Sequence, residues 1–271
     1  MTSINAIRFN DYSGIMICDE QRHWNDDRMK IFGADKIRPV VPGEIIERYG
    51  IVAAYGNTGT SSIGDELRFK IRERILEVYK KQVEMEGGPP EKFLTIPDIA
   101  ELTFKLITEV KHDHINECLK NMVGFSTDDF IQSEYKKDGR EYKIKSKEII
   151  EKAMKEIAGS SGTDQTGAVF GNAGIIAGYD PSGGFQIYLF SMRHSFYEPV
   201  PSGFVAQGSG SDMANVSFSR FFNHLTLEER KNTIDKIEGT IAAIDAVNEA
   251  SLNNIGVGGY FNIFLFDGKK P

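Results

Sequence analysis

Short apolar runs arranged as hairpins at both ends of the chain constrain its fold most strongly. Near the start, residues 4–9 and 14–18 are apolar runs separated by the turn cluster NDYS, a pattern typical of a β-hairpin. In the second half, residues 173–180 and 185–191 are separated by PSGG, which predicts another hairpin. Each hairpin has an apolar face that a second layer must cover, so the chain needs layers outside its sheets.

The middle of the chain predicts two long consecutive helices that supply such a layer. Apolar residues follow a 3.6-residue period from Asp65 until the stop signal GGPP at 87–90. A second helix starts within residues 95–98, where Pro97 suits a first turn, and extends to about Met122. Further elements are predicted as strands at 37–41, 51–55, 203–210 and 260–266 and as a helix at about 227–249.

This order of elements predicts an α+β fold, a four-layer αββα sandwich of two antiparallel sheets with helices as the outer layers. Residues 1–271 are expected to form a single domain. The segment at about 120–166 is highly charged, with a short helix expected near 147–157. It is expected to be a surface insertion, because such a polar segment has little to bury.

Composition excludes several classes of function. The net charge is −7, which argues against nucleic-acid binding, and no apolar run approaches the length of a membrane helix. Cys18 and Cys118 lie far apart and form no CxxC pair, so neither a disulfide framework nor a zinc site is expected. The glycine-rich segment 56–64 lacks the Lys-Ser/Thr pair of a phosphate-binding loop. A cytoplasmic protein without signal peptide, metal or cofactor is expected.

Several segments together resemble one known family. The segments AGIIAGYDPSGGFQIYLFS (173–191) and GFVAQGSGSDMA (203–214) are similar to the second half of proteasome β-type subunits, and the strand that starts at Thr2 resembles their first strand. The lysine segment at 36–38 is most similar to that of HslV-type bacterial peptidases. The resemblance covers roughly residues 2–110 and 167–266 and implies the fold of N-terminal nucleophile hydrolases.

The resemblance also implies a catalytic centre. Thr2 would become the nucleophile after removal of Met1, with its own α-amine as the general base. Lys36 would favour the deprotonated hydroxyl, and Asp19 would pair with that lysine. Lys30 is an alternative for the site lysine, because the preceding loop differs in length among relatives.

Four further residues follow from the resemblance. The backbone N–H of Gly56 would stabilise the oxyanion, and Ser209 and Ser251 would support the amine and its proton path. Asn248 stands where the family has an aspartate, so this position can form hydrogen bonds but supplies no charge.

Three functions remain open on this reasoning. The first is a threonine-type peptidase that hydrolyses peptide bonds in a peptide or protein substrate. The second is a non-catalytic, α-type ring subunit, and the third is an N-terminal nucleophile amidohydrolase acting on a small amide. The resemblance further implies a ring-like homo-oligomer served by an ATP-dependent unfoldase, with no nucleic-acid or membrane partner.

Overall fold

The computed structural model describes residues 2–24, 29–31, 33–132, 134–137, 139–143, 147–148, 151, 171–191, 196–232 and 234–268. Within it the chain forms two compact units. The first unit comprises residues 1–104, 172–191 and 196–271, and the second comprises residues 105–171 and 192–195. The prediction of one domain with an insertion at about 120–166 stays a prediction, and the second unit itself starts at Lys105, within a helix.

The strands are β1 Ile4–Arg8, β2 Ser13–Asp19, β3 Arg22–Trp24, β4 Met29–Ile31, β5 Ile37–Pro39, β6 Val52–Thr58, β7 Glu134–Lys137, β8 Arg140–Lys143, β9 Ala173–Asp180, β10 Gly184–Ser191, β11 Phe196–Pro199, β12 Phe204–Gln207 and β13 Phe261–Asp267. The helices are α1 Gly43–Tyr49, α2 Ser61–Glu86, α3 Ile96–Val123, α4 Thr127–Gln132, α5 Ser211–Phe222, α6 Leu227–Asn232 and α7 Lys236–Asn253.

The first sheet has the strand order β12-β1-β2-β13, and all its neighbours are antiparallel. The hairpin predicted at the start of the chain forms its centre, with Ala6 opposite Met16. The last strand of the chain pairs with β2, with Ile263 opposite Ile17. The start of β1 therefore lies between two neighbours, which fixes its backbone on both sides.

The second sheet has the order β11-β10-β9-β6-β5 and is also antiparallel. The PSGG turn joins β9 to β10, as the sequence predicts, and Asp180 caps this turn by accepting hydrogen bonds from Ser182 and Gly183. β6 lies between β9 and β5, and its last residue, Thr58, pairs with Ala173 of β9.

Within the first unit, two apolar cores separate the layers. Between the sheets, side chains of β1 and β2 pack with side chains of β5, β6, β9 and β10; the buried members are Ile4, Ala6, Met16, Cys18, Ile37, Ala54, Ile175, Ala177, Tyr179, Phe185 and Ile187. On its other face the first sheet packs against α5 and α7, with Phe218, Phe222 and Val247 buried there.

The outer face of the second sheet is also covered by helices. α2 packs on β6, and its buried residues Leu67, Ile71 and Ile75 repeat at the spacing of one helical face. The start of α3 is tied to β9, because the Ile96 N–H donates to Asp180 at 3.0 Å. The four-layer αββα sandwich of two antiparallel sheets, the fold of N-terminal nucleophile hydrolases, is thus confirmed.

Two segments contain helices that the predicted elements do not include. The segment between the strands at 37–41 and 51–55 contains the helix α1, because Pro42 precedes it and Gly50 ends it in the left-handed region. The helix predicted at about 227–249 is two helices, since the Asp235 carboxylate caps a new helix by accepting from Ile237 N and Glu238 N. The helix expected near 147–157 lies largely outside the described residues.

The second unit is described separately. Asn116 on α3 accepts a hydrogen bond from the Thr127 backbone at 2.8 Å, and Ser126 and Asp129 cap the start of α4 reciprocally. Strands β7 and β8 form a two-stranded antiparallel sheet. In the part of the chain that the structure describes, no helix has the length and apolar character needed to cross a membrane.

Candidate active site

Thr2 lies two residues before the start of β1, at the edge of the space between the two sheets. Side chains alternate along a strand, so Thr2 is on the same side as Ile4 and Ala6, which belong to the core between the sheets. The Thr2 nitrogen donates a hydrogen bond to Ser209 Oγ at 3.1 Å. Two of the residues expected at the site, Thr2 and Ser209, are therefore in direct contact although 207 positions separate them.

The turn between β12 and α5 encloses the Thr2 backbone. The Gly210 N–H donates to the Thr2 carbonyl at 3.2 Å. Gly208 has a φ of 109°, and a Cβ at this position would collide with the Thr2 carbonyl oxygen. The same Cβ position lies 3.3 Å from Cγ2 of Thr58, at the end of β6. Only glycine fits here, and its absence of a side chain lets the turn, Thr2 and the end of β6 meet.

Asp19, the last residue of β2, is a buried acceptor of several hydrogen bonds. Its Oδ1 accepts from Lys36 Nζ at 2.7 Å and from the Ser3 backbone N–H at 2.9 Å. Its Oδ2 accepts from the backbone N–H groups of Gln21 at 3.3 Å and Gly258 at 3.2 Å. A buried carboxylate is tolerated when its charge is paired and its lone pairs are satisfied, and here both conditions hold.

Lys36 precedes β5, so the Lys36–Asp19 ion pair joins the second sheet to the first. Both side chains are buried. Because Lys36 and the N–H that follows Thr2 share one oxygen of Asp19, the ammonium group lies close to the Thr2–Ser3 peptide bond. The pairing expected for Lys36 and Asp19 is therefore present. The side chain of the alternative, Lys30, lies outside the described residues.

Gly56 lies in the interior of β6, opposite Ile37 on one side and Ile175 on the other. A Cβ at this position would face Ile4 and Met16, in the core between the sheets. At the end of the strand, next to Thr58, lies Gly59, whose φ is 107°. Gly59 precedes the long helix α2, and a helix N-terminus carries a partial positive charge. The sequence analysis does not single out Gly59, because the helical period is clear only from Asp65, whereas α2 starts at Ser61.

The expected pair Asn248 and Ser251 lies on α7, and the side chain of Asn248 is exposed to solvent. A different asparagine contacts the site: Asn254, at the end of α7, donates from Nδ2 to the Ser209 carbonyl at 2.8 Å. Its Oδ1 accepts from the Gly256 N–H at 2.9 Å. The signal for Asn254 is the segment NIGVGG at 254–259, a glycine-rich turn between the last helix and the last strand.

Cys18 is adjacent to Asp19 in sequence and could be suspected as a nucleophile. Burial raises the pKa of its thiol to about 12, although the nearby Lys36 ammonium acts in the opposite direction. The thiolate, which is the reactive form, is thus almost absent at neutral pH. Among the described residues no group of three or more His, Cys, Asp or Glu side chains could hold a metal ion.

The chain offers a matched test of the Asp19–Lys36 pair. Lys236 and Asp267 form an ion pair at the same 2.7 Å distance, but their side chains are 54% and 76% exposed. We expect Asp19→Asn to lower the free energy of unfolding by about 3–5 kcal/mol, because it leaves a buried lysine without its counter-charge. We expect Asp267→Asn to lower it by less than about 1 kcal/mol. Urea unfolding measures the free energy of unfolding of both variants. Equal losses would contradict the expectation that burial makes the Asp19–Lys36 pair matter more than the exposed pair.

The raised thiol pKa predicts that Cys18 is inert in the folded protein. At pH 8 iodoacetamide is expected to leave Cys18 unmodified in native protein and to alkylate it in concentrated urea, with peptide mass spectrometry as the readout. Cys118, which is partly exposed, serves as the internal reference. Alkylation of native Cys18 as fast as that of Cys118 would show that the thiol is accessible and ionised.

Solved structures share the fold of this chain at low sequence identity. No family model matches the chain, and no curated protein matches it. Among solved structures it is similar to "Anbu (ancestral beta-subunit) from Yersinia bercovieri", with a TM-score of 0.60 and 9% sequence identity. The match covers 98% of this chain and 81% of the Anbu chain.

These findings correct the family that the sequence motifs suggested. Assignment to the proteasome β-type and HslV-like subunit family is wrong: no family model supports it, and Anbu, a structural neighbour, is only 9% identical. Short motifs such as GSGS and AG followed by aspartate contain residues that tight turns favour, so they indicate local backbone structure rather than a family. The chain has a distant structural relation to Anbu and shares its fold.

Proposed function

We propose that this chain hydrolyses peptide bonds, with the Thr2 hydroxyl as the nucleophile once Met1 has been removed. The observation that carries the proposal is the contact of the Thr2 nitrogen with Ser209 Oγ at 3.1 Å, beside the buried Asp19–Lys36 pair. After loss of Met1 this nitrogen is a free α-amine, which ionises close to neutral pH and can act as a base. The fold shared with Anbu supports the proposal.

In the first half of the reaction, the α-amine of Thr2 takes the proton of the Thr2 hydroxyl while the hydroxyl oxygen attacks the carbonyl carbon of the substrate. The resulting oxyanion then re-forms the carbonyl and the C–N bond breaks. The proton held by the amine passes to the departing nitrogen. The products are a free amine and an ester between the substrate acyl group and Thr2, so atoms and charges balance.

In the second half, a water molecule replaces the departed amine. The α-amine takes a proton from this water, the hydroxide attacks the ester carbonyl, and the ester C–O bond breaks. The proton returns to the Thr2 oxygen. The free carboxylic acid leaves, and the enzyme regains its hydroxyl and neutral amine.

The neighbouring groups have distinct roles in this proposal. The Lys36 ammonium favours negative charge on the Thr2 oxygen and disfavours protonation of the α-amine, while Asp19 fixes the position of that ammonium at 2.7 Å. Ser209 accepts the amine hydrogen and orients its lone pair. Asn254 holds the Ser209 carbonyl at 2.8 Å.

We assign the oxyanion contact to the backbone N–H of Gly59 rather than Gly56. Gly56 belongs to the paired interior of β6, whereas Gly59 follows the end of that strand, where Thr58 approaches the turn around Thr2. The N-terminus of α2, directly after Gly59, adds a favourable dipole for a developing negative charge. A backbone donor before a helix thus provides the stabilisation that the reaction needs.

A small β-lactone tests the nucleophile without assuming a side-chain preference of the substrate. We expect the purified protein to lack Met1 and to gain one adduct, which peptide mass spectrometry maps to Thr2. Thr2→Ala is expected to abolish the adduct and Thr2→Ser to retain it, because serine keeps the hydroxyl and the amine. Thr240→Ala, on α7 outside the site, is the matched control and is expected to react like the unchanged protein.

Other outcomes of this experiment would contradict the proposal in different ways. Retained Met1 with no adduct would favour a non-catalytic subunit. Loss of Met1 with no adduct, together with turnover of a small amide, would favour an amidohydrolase of another specificity. An adduct that persists in Thr2→Ala would show that another residue is the nucleophile.

We also propose a homo-oligomer. Lys236 at the start of α7 pairs with Asp267 at the end of β13, so these two ends lie next to each other. Their exposed faces carry large apolar side chains, namely Ile237, Ile241, Ile263 and Leu265. Adjacent exposed apolar side chains are typical of surfaces that contact another protein chain. The unfoldase partner implied by the sequence resemblance stays a prediction.

Size-exclusion chromatography with light scattering tests the oligomer. The expected mass is a multiple of the 30.3 kDa chain, and Ile241→Lys is expected to shift it toward the single-chain value by placing a charge in the contact. Met85→Lys, an exposed apolar residue on α2, is the control and is expected to leave the mass unchanged. A mass near 30 kDa for the unchanged protein would contradict the proposal.

A further inference from the structure

A buried arginine on helix α2 contacts the backbone of Lys36, next to the proposed site. Arg68 belongs to the second turn of α2, and its side chain is only 6% exposed. Its Nη1 donates to the backbone carbonyl of Lys36 at 3.2 Å. Its Nη2 pairs with the Asp65 carboxylate, one helical turn earlier. The guanidinium therefore connects helix α2 to the residue that carries the ammonium group.

The Lys36 carbonyl has two donors of different kinds. The Asn57 N–H of β6 donates to it at 3.3 Å, and Arg68 donates from the helical layer at 3.2 Å. β5, which starts directly after Lys36, is only three residues long and is an edge strand of its sheet. Such a short edge strand forms few hydrogen bonds of its own. These two hydrogen bonds are therefore important for fixing the position of the Lys36 carbonyl.

The orientation of this peptide determines where the lysine side chain goes. The backbone around Lys36 sets the direction of its Cα–Cβ bond. The lysine side chain is long, and its Nζ lies 2.7 Å from Asp19 Oδ1, so a small rotation of the backbone would move Nζ away from that oxygen. A guanidinium is suited to such fixing, because its donors lie in a rigid plane, whereas an ammonium on a flexible stem does not impose a direction.

We propose that Arg68 is a positioning residue for the catalytic centre, which acts by holding the Lys36 peptide so that the ammonium reaches Asp19 and the Thr2 oxygen. This inference rests on the proposed function for its kinetic consequence, but the placement of the lysine can be tested separately. A buried arginine with a purely structural role would stabilise the fold without altering the reactivity of Thr2 in the folded protein.

The kinetic test compares arginine variants in the labelling of Thr2 by the β-lactone. We expect Arg68→Met to lower the maximal labelling rate about 10- to 100-fold with little change in the concentration for half-maximal rate, because small misplacement of a reacting group costs this much. Arg68→Lys keeps the charge and is expected to recover part of the rate. Arg74→Met, on the same helix with a more exposed side chain paired to Glu77, is the control and is expected to label at the unchanged rate.

The second readout follows the lysine itself, so it does not depend on catalysis. Reductive methylation, with peptide mass spectrometry, is expected to modify exposed Lys236 rapidly and buried Lys36 slowly in the unchanged protein. Arg68→Met is expected to accelerate modification of Lys36 but not of Lys236. Circular dichroism confirms that each variant is folded, and if Arg68→Met does not fold, Arg68→Lys carries both measurements.

The outcomes separate this inference from the proposed function. If the unchanged protein is never labelled, the proposed function fails, whereas the methylation result still decides whether Arg68 positions Lys36. If Thr2 is labelled at the same rate in folded Arg68→Met, or if Lys36 stays as protected as before, the positioning role is wrong.

Discussion

The buried ion pair between Asp19 and Lys36 is the interaction on which the arrangement of the site depends. It joins the end of β2 in one sheet to the residue before β5 in the other, across a core that is otherwise apolar. A charge in such surroundings is costly unless its partner and its hydrogen bonds are all present. Asp19 meets this condition with one ammonium and three backbone N–H groups, and in doing so it fixes the positions of Ser3, Gln21 and Gly258.

This constraint explains why the site lies at one edge of the sandwich. The core between the sheets is lined by aliphatic and aromatic side chains along β1, β2, β6 and β9. The polar residues of the proposed site, Thr2, Asp19, Lys36 and Thr58, come from the ends or margins of strands. The apolar layers determine the spacing between the sheets, and that spacing determines how far the lysine must reach.

Much of the fold and part of the site could be predicted from the sequence. The hairpins at NDYS and PSGG and the long helix after Asp65 carry strong local signals, and the structure contains all three. The structure also contains the contact between Thr2 and Ser209 and the pair of Asp19 with Lys36, which the family resemblance implies and no local sequence signal predicts; their catalytic roles stay a prediction. Family membership did not follow, since turn motifs report local backbone needs that unrelated families can share.

Two contacts of the proposed site have no distinct signal in the sequence. A strand signal does not show which of its residues lies in the paired interior and which follows the last hydrogen bond, so it does not distinguish Gly56 from Gly59 as the proposed oxyanion donor. A helical pattern likewise does not show where the helix ends, so it does not predict that Asn254, at the end of α7, contacts Ser209. Arg68 had no signal at all, because one arginine in an amphipathic helix looks like a solvent-exposed residue until its neighbours are known.

The turn at Gly208 would restrain the new N-terminus that removal of Met1 creates at Thr2. Terminal residues usually fray, because nothing beyond them restrains their backbone. Here the carbonyl of Thr2 is bound by Gly210, its nitrogen by Ser209, and the next peptide by Asp19, while Gly208 packs directly against it. The entropy of ordering the terminus is therefore lost when the sandwich folds, before any substrate arrives, and a newly cut end would already be as immobile as the middle of a strand.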